Sequence, residues 1–126
     1  MGKSLVFVVL FISYMVYGWT VYTKGTTNAV SLSPAEASLV DRGKMIYQEK
    51  NCSACHQLYG LGGYLGPELT TAWSDRSRGE NYMRAFLKTG SRRMPDFHFT
   101  EPEIVSLLHY FRYIDSTATT YKTPKK

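Results

Sequence analysis

The sequence predicts an all-α protein: one apolar helix able to span a membrane, then a small domain of about three helices. Three observations carry this. Residues 4 to 23, SLVFVVLFISYMVYGWTVYT, contain no charged side chain. Two capping boxes, Ser33-Pro34-Ala35-Glu36 and Thr100-Glu101-Pro102-Glu103, each open a stretch with apolar residues at helical spacing. No segment shows strand alternation, an internal repeat or a nucleotide-binding glycine motif. The chain has 126 residues, 44% of them hydrophobic. That length is one domain's worth and excludes a multidomain enzyme. A mean hydropathy of −0.25 conceals how unevenly the apolar residues are spread.

The uncharged run makes about 30 Å of helix, matching the hydrocarbon thickness of a bilayer. Its second half carries Tyr14, Tyr17, Trp19 and Tyr22, which suits the membrane interface. A cleaved signal peptide is the rival. Its apolar core is shorter, and Gly18-Trp19-Thr20 is a poor cleavage site. Residues 1–24 are therefore expected to be a transmembrane anchor, 25–32 a linker, 33–115 the folded domain and 116–126 a flexible tail. Lys3 and Lys24 flank both ends of the anchor, so charge alone hardly orients it.

The first domain helix is expected from residue 34 to about residue 51, with Leu39, Val40, Gly43, Ile46 and Tyr47 as its stripe. Residues 57–79 are Gly-rich and irregular. A second helix is expected over 80–89, with Tyr82, Ala85 and Phe86 inward and Gly90 as its stop. Residues 91–99, SRRMPDFHF, form a loop. The last helix carries Ile104, Leu107, Leu108 and Phe111, closed by Ile114 or Tyr113. A core this small, with loops this long, needs something inside to organise it.

The only two cysteines stand in Cys52-Ser53-Ala54-Cys55-His56. A structural zinc site needs a second pair of ligands, and His98 and His109 are isolated. A redox pair of the thioredoxin kind would open a helix after a strand, whereas this pair closes a helix. Two incidental cysteines are the bland reading. The remaining reading is covalent haem c: two thiols three apart add to the two vinyl groups, and the next residue's imidazole meets the iron. One haem c is therefore expected on Cys52 and Cys55, with His56 as an axial ligand. Haem c attachment is periplasmic in bacteria, so the domain is expected outside the cytoplasmic membrane with the N-terminus inside, consistent with Lys3.

The second iron ligand is sought among Met94, Met45, Met83, His98 and His109. Met45 is too near the cysteines in sequence, Met83 fits a core position, and His109 lies off the apolar stripe. Met94 stands in a loop before Pro95, which stiffens the backbone, and methionine ligation suits an electron carrier. Met94 is the expected ligand, with His98 or an open position as alternatives. In Gly66-Pro67-Glu68-Leu69, the Pro67 carbonyl is the expected partner for the other ring nitrogen of His56; an ordinary turn is the rival reading.

In this order, helix, CxxCH, GPxL loop, helix, MP loop and C-terminal helix, the chain resembles a class I cytochrome c domain. Residues 56–69, HQLYGLGGYLGPEL, resemble more narrowly the membrane-anchored cytochrome c subunit of nitric oxide reductase. The resemblance covers nearly the whole chain in architecture, and its specific part is about residues 52 to 97. The family more often has an acidic residue and an alanine where this chain has Leu61 and Gly63. The resemblance implies a non-catalytic electron-transfer subunit. It would take single electrons from a periplasmic donor, a soluble cytochrome c or a cupredoxin. It would pass them to a large multi-helix haem-containing catalytic subunit that converts two NO to N2O. It also implies a calcium ion at the subunit interface, bound by main-chain carbonyls at Gly62 and Tyr64. The alternatives are a cytochrome c subunit of an oxygen-reducing haem–copper terminal oxidase, or a free-standing membrane-tethered shuttle.

The net charge is +5. A periplasmic haem domain excludes nucleic acid as the reason for it. Arg92 and Arg93, beside Met94, are candidates to pair with haem propionates or to steer an acidic donor; a solvated pair is the equal alternative.

Overall fold

The computed structural model describes residues 2–24 and 30–118. Among these the chain is all-α, with four helices. The first, α1 (Gly2–Lys24), has no buried residue and is long and apolar enough to cross a membrane. The hydroxyls of Ser13, Thr20 and Thr23 donate to the carbonyls of Val9, Val16 and Trp19, each at 2.8 Å. Those bonds satisfy the polar groups within the helix itself, as hydrocarbon surroundings demand. Most of the expected linker, residues 25–29, and the expected tail from residue 119 onward lie outside the described residues.

Helix α2 (Pro34–Glu49) begins where the capping box requires. The Ser33 N–H and hydroxyl donate to the Glu36 carboxylate at 3.1 and 2.8 Å, and the Glu36 N–H returns a bond to Ser33 Oγ at 3.3 Å. These contacts, the Ser33 hydroxyl bond first, hold the Glu36 carboxyl below its ordinary range. Helix α3 spans Gly79–Thr89, and α4 spans Glu101–Thr117. At the start of α4 the Thr100 N–H and hydroxyl donate to Glu103 at 2.8 and 2.7 Å. Helix α4 runs past residue 115, where the folded domain was expected to end, and Ala118 is buried.

The domain is built on the pairing of α2 with α4; α3 packs more lightly on α4. The crossing is close because residue 43 has no side chain. A Cβ there would strike the Ser106 carbonyl and the Cβ of Tyr110. Around this contact lie Ile46, Tyr47, Ile104, Leu107, Leu108 and Phe111, all buried. The expected stripes of α2 and α4 face inward as read, with Leu39 only partly covered and Ile114 closing the second stripe. The inward face of α3 differs. Met83 and Leu87 are buried, Tyr82 and Ala85 are exposed, and Phe86 is half-buried. Tyr82 instead lies tilted against Phe86, with ring centroids 4.6 Å apart. Gly90 ends the helix with φ at 63°.

The Gly-rich segment contains a small ladder where no strand was expected. β1 (Gln57–Leu58) pairs antiparallel with β2 (Leu61–Gly62). Tyr59 and Gly60 join them with φ of 53° and 76°, the two positive values of a type I′ hairpin turn. Two residues per strand are too few to show alternation in a sequence.

Gly43→Ala should destabilise the haem-loaded domain by about 1–3 kcal/mol, the usual cost of forcing extra volume into a packed contact. Denaturant unfolding of the purified chain measures this, and unaltered stability would show that the α2–α4 contact tolerates a methyl group.

Candidate functional site

After α2 the chain turns through Asn51, at φ 53°, into a single 3-10 turn over Cys52–Ala54. The N–H groups of Cys55 and His56 both donate to the Cys52 carbonyl, at 3.2 and 2.9 Å. Both cysteines and the histidine therefore share one tight bend. The thiols are not joined in a disulfide, and both are half-buried. Burial pushes the Cys52 thiol above its ordinary pKa. Redox-active cysteines are shifted the other way.

The His56 ring is held at one nitrogen. Its Nδ1 lies 2.8 Å from the Pro67 carbonyl oxygen. A carbonyl only accepts, so Nδ1 carries the proton and Nε2 keeps its lone pair for a metal. The backbone on either side is fixed too. The hydroxyl of Tyr47, a buried residue, donates to the His56 carbonyl at 3.4 Å. The loop that follows is stitched back over the bend by three backbone bonds: Gly63 to Ser53 at 2.9 Å, Gly66 to Cys55 at 2.8 Å and Leu69 to Gln57 at 2.9 Å. At Gly66 a Cβ would collide with the imidazole itself. The Pro67 carbonyl lies at the ring.

Partly buried apolar residues, among them Leu58, Leu69, Trp73, Met94 and Phe99, pack along the core cluster. Two thiols on one turn and an imidazole held through Nδ1 are a donor set that fits haem c. Met94 is the half-buried member with a ligating atom. Its N–H donates to Ser91 Oγ at 3.2 Å and its carbonyl accepts from the Ser91 N–H at 2.8 Å, closing a turn just after Gly90. Its rivals sit elsewhere. Met83 is in the core, and Met45 is 52% exposed. His98 turns outward, 86% exposed, with Nδ1 3.2 Å from the Asp96 carboxylate. His109, off the apolar stripe of α4, is half-buried in a cleft with Trp73, Glu80, Arg84 and Arg112. Arg92, Arg93, Gly62 and Tyr64 are all exposed. Among the described residues no three His, Cys, Asp or Glu side chains converge on a metal-binding point.

Several residues that support the loop were not anticipated. Arg78 Nη1 donates to the Glu68 carbonyl at 3.2 Å while its guanidinium grips Asp75 at 2.6 Å. The Ser77 hydroxyl bond, then the other Ser77 and Arg78 contacts, holds the Asp75 carboxyl far below the usual carboxylate range. Thr70, wholly buried, donates both its N–H, at 3.0 Å, and its hydroxyl to the Glu68 carboxylate. Asp75 and Arg78 pair outside any helix, so the helical spacing rule does not flag them. The Thr70 contacts leave no signal in the sequence either.

A family model described as cytochrome c oxidase, cbb3-type, subunit III matches residues 38–111. That span includes Cys52, Cys55, His56, Pro67 and Met94. The chain is also similar to the C subunit of nitric oxide reductase from Stutzerimonas stutzeri, 27% identical over 134 residues, which cover 99% of this chain and 88% of the relative. It is 28% identical to the protein of the same name from Halomonas halodenitrificans, over 90% of this chain and 81% of the relative. The Paracoccus denitrificans protein of that name is 28% identical over 94% of this chain and 84% of the relative.

Gly66→Ala should drive the His56 ring off the Pro67 carbonyl. Loss of such an orienting bond costs about 10- to 100-fold in metal affinity or activity. The measurable outcome is a lower haem-to-protein ratio and a shifted reduction potential in the loaded fraction. Full loading at an unshifted potential would mean that the contact does not position the ligand.

Proposed function

Because the chain belongs to the cytochrome c oxidase, cbb3-type, subunit III family, we propose that it is a membrane-anchored single-electron relay feeding a catalytic subunit of the nitric oxide reductase type. The observation that carries the partner assignment is the near end-to-end match to C subunits of nitric oxide reductase, over 99% of this chain in one case. A haem c domain alone does not choose a partner; a shared arrangement of anchor and domain argues for a shared assembly.

Haem c, when bound, supplies a one-electron ferric–ferrous couple. The chain's residues hold it. Cys52 and Cys55 would form its two thioether links, His56 Nε2 and the Met94 sulfur would ligate its iron, and the Pro67 carbonyl, 2.8 Å from Nδ1, orients the His56 ring. A thioether ligand raises the potential, as an electron carrier requires. Ligated by both residues, the iron would offer no site to a substrate, so bond chemistry would belong to the large subunit, where two NO, two electrons and two protons give N2O and water. The single Cys52–His56 motif supports one haem. The domain lies on the periplasmic side of the bacterial cytoplasmic membrane, with α1 (Gly2–Lys24) as the single span. Its donor there is a soluble cytochrome c or cupredoxin. The main-chain carbonyls of Gly62 and Tyr64, on the exposed part of the loop, contribute to a calcium site at the subunit interface.

The family model itself supports a second reading, since its description is of an oxidase subunit. On that reading the partner reduces oxygen. Purification in mild detergent separates a subunit from a solitary shuttle, because a shuttle emerges alone. The relay assignment predicts that the co-purifying complex consumes NO under anaerobic conditions. Consumption of O2 alone would transfer the chain to an oxidase.

Met94→His should lower the reduction potential sharply and change the visible spectrum. An unchanged potential and spectrum would exclude Met94 as a ligand.

A further inference from the structure

We propose that Tyr59 is a positioning residue: through a hydroxyl latch onto the last turn of α4 it holds the loop bearing the Pro67 carbonyl, and so sets the reduction potential of the His56 site. This rests on the haem ligation described above and assigns roles to residues outside it.

The backbone at Tyr59 is in the left-handed region, φ 53°, where a hairpin turn of this type favours Asn, Asp or Gly. A bulky residue stays in such a conformation only when its surroundings over-determine it. Here they do. The Tyr59 N–H donates to Thr70 Oγ1 at 2.6 Å. The phenol oxygen lies 2.6 Å from Thr117 Oγ1 and 3.4 Å from the Ile114 carbonyl. Thr117 spends its own proton on the Ile114 carbonyl at 2.8 Å, so Tyr59 is the donor to Thr117. The Tyr59 side chain is not needed to fill the core, since the residue is 49% exposed.

The same turn of α4 grips the loop a second time. Asp115, 5% exposed, accepts the Ser74 N–H at 2.9 Å. Residues 59 and 74 bracket Pro67, so both ends of the orienting loop are fastened to one helical turn. Between them the bonds run from the Tyr59 N–H to Thr70, and from Thr70 to the carboxylate of Glu68, the residue after Pro67. Loosening the latch lets the Pro67 carbonyl drift from Nδ1. The imidazole then becomes a weaker electron donor, the ferric form loses stabilisation, and the potential rises.

The test uses the haem-loaded full chain. Tyr59→Phe removes only the hydroxyl, and Thr117→Val removes its acceptor. Each should raise the midpoint potential, by up to about 59 mV for a tenfold change in the one-electron equilibrium constant. Each should move the paramagnetic shifts of the haem methyl groups, which report the ring plane of His56. The double variant should shift no further than the larger single, and Thr117→Ser should keep wild-type values. If Tyr59→Phe loads haem poorly, Thr117→Val gives the same reading. A lowered thermal stability with unmoved potential and methyl shifts would leave the hydroxyl merely structural and overturn the proposal. If Met94→His moves the potential while neither latch variant does, the latch fails and the haem ligation stands. A wild-type chain that carries no covalent haem sinks both.

Discussion

An imidazole on a flexible side chain can turn about two torsions, and its free nitrogen points somewhere definite only if the other nitrogen is held. In this chain the holder is the Pro67 carbonyl, 2.8 Å from His56 Nδ1. The constraint runs in two directions. It fixes which nitrogen carries the proton, and it sets how strongly the ring donates to whatever Nε2 binds. It also bears on sequence nearby. A proline at 67 stiffens the backbone beside its own carbonyl, and a side chain at residue 66 would displace the ring.

A main-chain carbonyl in a loop is only as well placed as the loop. Much of the domain outside the α2–α4 pairing is arranged to place this one. Upstream, the hairpin turn and the bonds to Cys55, Gln57 and Ser53 anchor the segment to the cysteine bend. Downstream, Arg78 fastens the Glu68 carbonyl, and Asp115 fastens Ser74. The helices supply the frame. Gly43 lets α2 close on α4, and that approach fixes where the end of α2, and hence the cysteine bend, lies relative to the last turn of α4. A long irregular loop in so small a domain is normally a sign of wrong assignment or of function. Here it is ordered by polar contacts to fixed helical turns.

The parts legible in the sequence are those written within a few residues of one another. The two capping boxes located the starts of α2 and α4, Gly90 located the end of α3, and the Cys52–His56 spacing pointed to the site. The Pro67 contact was readable because one residue pattern, glycine then proline, serves one purpose. What escaped depends on residues far apart. Tyr59 and Thr117 meet across 58 positions of sequence, and Ser74 and Asp115 across 41. The hairpin turn was hidden for a different reason: tyrosine is a poor occupant of its left-handed position, so local propensity argued against what the tertiary contacts enforce. The inward face of α3 was misread because aromatic residues were assumed to be core, whereas Tyr82 is satisfied by Phe86 at the surface.

Rigidity and tethering together account for the economy of the chain. A centre that passes an electron does no work on bonds, so its protein need only keep the ligands in one geometry through both charge states. A relay on its own must also find its acceptor by diffusion and bind it well enough to react. A relay on a membrane helix meets an acceptor in the same membrane at high effective concentration, so docking needs little intrinsic affinity. Thirteen of the fifteen basic residues, and every acidic one, lie beyond α1, whose two lysines stand at its ends. The small core is then no defect: the domain is as large as fastening one loop against one histidine requires.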